Sequence, residues 1–98
     1  MSFEQALSTS LAAAVGDDPA LVAELRGAFI DSAERHMKAM QCAATDSDWS
    51  DAALRLKGLA ASFGATSLLD QADRAANARR GDAAVLSDLE RGLAVIAL

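Results

Sequence analysis

Helix-breaking residues are scarce in this chain, and several fall where a run of helices would need punctuation. The single proline, Pro19, follows Asp17-Asp18; a polar run, Thr45-Asp46-Ser47-Asp48, comes mid-chain; Gly64 and Gly81-Asp82 divide what remains. An acidic residue before a proline is a strong helix start, because the side chain caps free N–H groups and proline lacks an N–H to leave bare. Between these marks the composition is rich in alanine and leucine, both strong helix formers. The spacing predicts five helical segments: Phe3 to Ala14, Pro19 to about Ala44, about Asp48 to Phe63, Thr66 or Ser67 to Arg80, and Asp82 onward.

Each segment has an apolar stripe at helical spacing. Phe3, Leu7 and Leu11 mark the first. Leu21, Leu25, Phe29, Ala33, Met37 and Met40 mark the second, which tolerates Gly27 and at about 26 residues would span about 40 Å. Leu68, Leu69, Ala72, Ala75 and Ala76 line the fourth, and Val85, Leu86, Leu89, Leu93 and Ile96 the fifth. Arg79 and Arg80 are expected in the last turn of the fourth, where cations suit the helix dipole. Short loops between long helices make neighbours antiparallel. The expected fold is therefore all-α, an antiparallel up-down-up-down four-helix bundle with an additional N-terminal helix packed across one end. Residues 1–98 suffice for a single domain with one core.

The third segment carries most of the information. At about 100° per residue, Trp49, Ala53, Leu56, Ala60 and Phe63 share one narrow sector and define the buried face. Measured from its centre, Leu54 lies about 140° round, Gly58 about 180° and Ala61 about 120°. Leu54 is thus expected to face outward in mid-helix, with a glycine one turn later. The run Leu54-Arg55-Leu56-Lys57-Gly58-Leu59-Ala60-Ala61-Ser62-Phe63-Gly64 resembles the signature helix of histidine-phosphotransfer (HPt) domains, roughly His-x-Leu-Lys-Gly-x-(Ser/Ala)-x-x-Phe-Gly. The resemblance extends over nearly the whole chain, including the Arg80-Gly81-Asp82 turn. Leu54 stands where the family has its phospho-accepting histidine.

The resemblance implies a degenerate, non-catalytic HPt module of bacterial two-component phosphorelay signalling. Its partner would be a response-regulator receiver domain or a histidine kinase. Leucine offers no nucleophile, so phosphoryl transfer at position 54 is chemically excluded and no enzymatic activity is expected. The family pattern further implies that Gly58 leaves room for a partner and that Lys57 places a positive charge beside the phosphoryl position. Leu54, Gly58 and Ala61 form an apolar strip with Arg55 and Lys57 at its edge, and Arg35 or Lys38 nearby, a pattern suited to protein docking.

Two alternatives stay open. His36, the only histidine, sits at the edge of the second segment's stripe and lacks the Lys-Gly pattern that follows an HPt acceptor; active phosphotransfer through it is the first. The second is a helical homodimerisation or interaction module outside two-component signalling, so the oligomeric expectation is a monomer or weak homodimer. One Cys and one His cannot build a zinc site, and neither a metal nor another cofactor is expected. Cys42 reads as a buried inert thiol. Asp17, Asp18, Asp46 and Asp48 read as caps, and Asp70, Asp73 and Glu90 as solvated helix surface. A net charge of −5 without a basic run argues against nucleic-acid binding. With no long apolar stretch, no basic leader and no possible internal disulfide, neither a membrane span nor a signal peptide is expected, and a cytoplasmic protein is.

Overall fold

The computed structural model of the protein describes residues 18–97. Among these it has four helices and no strand: α1 (Pro19–Gln41), α2 (Asp46–Ser62), α3 (Thr66–Ala76) and α4 (Ala83–Ala97). The segment Phe3 to Ala14, expected to form a further helix, and the cap expected at Asp17 lie outside the described residues.

Local chemistry sets most of the boundaries. The Asp18 carboxylate accepts the N–H groups of Ala20 and Leu21, both at 3.1 Å, ahead of Pro19 in the first turn. Thr45 caps α2, its hydroxyl accepting from the Asp48 N–H at 3.0 Å. That cap starts α2 two residues before the expected Asp48 and puts Asp46 and Asp48 in its first turn, where the dipole favours them. α2 closes as a Schellman turn: Gly64 takes a φ of 70°, its N–H bonds the Ala61 carbonyl, and the Ala65 N–H bonds the Ala60 carbonyl at 2.9 Å. Asp82 caps α4 through the N–H groups of Ala84 and Val85.

Other boundaries differ from expectation too, α1 ending at Gln41 and not near Ala44. Thr66 and Ser67 do not cap α3; its N-cap is Ala65, without a side-chain bond, because the Schellman turn leads directly into the helix. α3 also ends at Ala76 rather than Arg80. The cause is tertiary: the Arg80 guanidinium reaches the Ala44 carbonyl at 2.7 Å and the Asp46 carboxylate at 3.2 Å, drawing the loop toward the start of α2. Arg80 therefore serves a loop contact, and neither Arg79 nor Arg80 lies in the last turn of α3.

Contacts run from α1 to α2, α2 to α3, α3 to α4 and back from α4 to α1, so the four helices close around one core. Trp49, Phe29, Met40, Leu56, Leu68, Leu89 and Ile96 are its largest fully buried side chains. Alanines 33, 53, 60, 72 and 75 fill the remaining space and let the helices approach. Phe63, half-buried, stacks on Phe29 with ring centroids 4.9 Å apart. Leu21, expected in the inner stripe, is exposed. Gly92 is buried against the Gln71 side chain, where a Cβ would collide with the amide, so α3 and α4 meet closely there. Among the described residues no helix is long and apolar enough to cross a membrane.

Candidate functional site

The buried face of α2 determines what its other side presents. With Trp49, Ala52, Ala53, Leu56 and Ala60 in the core, Leu54, Gly58 and Ala61 form an outward strip. Leu54 is 51 % exposed in mid-helix, and among the described residues no atom beyond the helix's own backbone lies within 4 Å of where a Gly58 Cβ would stand. The strip is therefore smooth, with one projecting apolar side chain. Arg55 and Lys57 diverge from it to opposite flanks.

On one flank Lys57 turns to α3. Its Nζ donates to the Asp73 carboxylate at 2.8 Å, with both side chains partly exposed. Asp73 is thus an interhelix partner and not a merely solvated surface residue, and Lys57 is engaged instead of standing free beside position 54. Glu90, also expected to be simply solvated, accepts from the Gln41 amide at 2.9 Å and ties α4 to α1.

On the other flank Arg55 turns to α1. A groove of about 300 Å³ opens there, with His36, Ala39 and Cys42 along α1 and its end, and Asp48, Asp51 and Arg55 on α2. His36 is half-buried. Burial first, then the positive charges of Arg55 and Arg35, hold its imidazole below the ordinary value of 6.5. Arg35 stands beside His36 at the groove's edge and shares a shallow pocket with Asp31, Glu34 and Lys38. Lys38 also lines the groove between α1 and α4 with Gln41 and Glu90. Cys42 is exposed at the end of α1, contrary to the buried thiol expected.

The depressed His36 pKa has a definite sign. At neutral pH both folded and unfolded chains hold the imidazole neutral. As pH falls through 6.5 the unfolded chain takes up a proton that the folded one resists, so folding stability drops. The acid-side loss should begin near pH 6.5 and be smaller in a His36→Gln variant, measured as the difference in urea midpoint between the two proteins. A parallel pH dependence in both would remove His36 as its source.

Chemically, the strip offers apolar contact and the groove offers mixed charge. Among the described residues no group of three or more His, Cys, Asp or Glu side chains is arranged to hold a metal ion. The groove with His36, Asp48 and Asp51 was not identifiable from the sequence, because it exists only once α1 and α2 lie side by side. No protein-family model, curated protein or solved structure matches the chain.

Proposed function

We propose that this protein is a degenerate histidine-phosphotransfer module, an up-down-up-down helical bundle of a bacterial, cytoplasmic phosphorelay. It docks a receiver domain or histidine kinase through the exposed strip of α2 and carries no phosphate. The observation that carries this reading is Leu54: a 51 % exposed leucine in mid-helix, at the acceptor's place in the motif, beside open space at Gly58. Two cross-helix contacts support antiparallel neighbours: Trp49 at the start of α2 against Ala75 at the end of α3, and Arg26 early in α1 against Ile96 late in α4. His36 supports the reading in a different way. A half-buried imidazole leaves little room for in-line attack on a partner's phosphoryl group.

Titration with purified receivers and kinases tests the proposal. Saturable binding is expected, with no phosphoryl label passing from a phosphorylated donor to the chain. An acid-labile phosphohistidine on the wild type would overturn it, and disappearance of that label in His36→Ala would assign transfer to His36. Gly58→Ala should separate docking from folding. It should stabilise the exposed helix interior by about 0.5–1 kcal/mol, since nothing obstructs the methyl group, yet weaken docking. Unchanged docking in that variant would take the partner off this strip.

A further inference from the structure

Four charges border the α1–α2 face without an ion pair among the described residues. Asp48, Asp51 and Arg55 line the groove on its α2 side, and Arg35 stands close to His36 from α1. Among the described residues none of the four makes an ion pair; Arg35 donates only to the Ser32 hydroxyl, at 2.9 Å. Asp51 and Arg55 even have the i,i+4 order that favours pairing within a helix, yet both remain available. Arg35 in turn shares a pocket with Asp31, Glu34 and Lys38, so the face mixes both signs of charge, while the chain as a whole carries −5. Copies approaching through most of their surface therefore repel. Across this face acidic Asp51 and basic Arg55 are displaced along one helix, so each can meet its opposite on a second copy.

We infer that two copies of this chain pair through the α1–α2 face about a twofold axis near Leu54. A twofold contact joins the same patch on both copies, so it requires a self-complementary patch. Asp51 and Arg55 lie on either side of Ala53, next to Leu54. With the two α2 helices antiparallel, each Asp51 meets the second copy's Arg55, and Asp48 and Arg35 form an outer pair. Leu54 packs on its own counterpart at the axis, and Gly58 and Ala61 lack the bulk to hold the helices apart. The dimer covers Leu54, so self-association and docking of another protein through this strip exclude one another. This inference needs no phosphorelay partner.

Sedimentation equilibrium on the purified full chain tests it, up to about 1 mM to capture a weak contact. A monomer–dimer equilibrium is expected, weakened roughly tenfold when salt is raised from about 0.05 to about 0.5 M. Arg35→Glu/Arg55→Glu and Asp48→Lys/Asp51→Lys should each be monomeric. Mixed one to one they should dimerise again, a rescue that misfolded variants would not give. A wild type monomeric throughout overturns the inference, as does a dimer untouched by both charge reversals. Neither result decides the receiver titration, which reads a different complex and is run on dilute monomer.

Discussion

Replacing Trp49 by alanine is expected to remove about 3–5 kcal/mol of folding stability, the largest loss from any single change in the described core. Trp49 is 1 % exposed, and its indole N–H donates to the Ala75 carbonyl at 2.8 Å, joining the start of α2 to the end of α3. Alanine would vacate the largest side-chain volume in a core otherwise built from small residues. Alanines at 33, 53, 60, 72 and 75 have no side-chain reach with which to close the cavity. Domains of this size hold only about 5–15 kcal/mol in total, so the variant would be marginal at 37 °C. Trp49→Phe separates packing from hydrogen bonding. The Ala75 carbonyl keeps the bond from the Ala78 N–H at 3.1 Å, so losing the indole donor should cost about 1–2 kcal/mol and no more. Urea unfolding followed by far-ultraviolet circular dichroism gives both values, since the substitution removes the chain's only tryptophan fluorophore. Equal losses in the two variants would show that the hydrogen bond, and not the ring volume, anchors α2 to α3.

What the sequence made legible, and what it hid, divides by distance along the chain. Asp18 and Asp82 cap the helices that follow them through N–H groups two and three residues on. Gly64 closes α2 through a turn whose bonds stay within five residues. Such contacts are decided by local backbone geometry, so residue type and position suffice to find them. The outward direction of Leu54 was equally accessible, because it needs only the helical repeat and the apolar face opposite. The end of α3 was not. Asp73, Ala76 and Arg80 all suit a helix, and Arg80 leaves it for acceptors 34 and 36 residues away. The same limit applies to Lys57. The motif places a cation beside position 54, but the Asp73 that holds it stands on another helix. His36 could be read as a residue at a stripe edge, whereas the two arginines beside it come from two elements. A single chain pattern therefore reveals which face of α2 is free and leaves unspoken which charges border it.

On the function proposed above, Leu54→His is expected to give a chain that accepts phosphate where the wild type does not. Surface substitutions away from special features seldom move stability by more than about 0.5 kcal/mol, so a 51 % exposed site should accept the change without unfolding. The new side chain would project where Gly58 leaves open space for a donor, and Arg55 would follow it on the same helix. Lys57 is the remaining difficulty, because its ammonium is held by Asp73 at 2.8 Å. Asp73→Asn removes that anchor's charge. One charge-assisted contact to the transferring phosphoryl group, at about 1.5 kcal/mol, corresponds to about a tenfold faster transfer in the double variant than in Leu54→His alone. Rates of label transfer from a phosphorylated receiver would measure both steps, with circular dichroism confirming that each variant is folded. If folded Leu54→His stays unlabelled by donors that bind it, the surface around position 54 no longer aligns a phosphoryl group. If Asp73→Asn adds nothing, Lys57 is a structural tie between α2 and α3, and the positive charge that matters is that of Arg55. The pair of variants thus distinguishes a scaffold that has lost one atom's chemistry from one whose docking face serves only to bind.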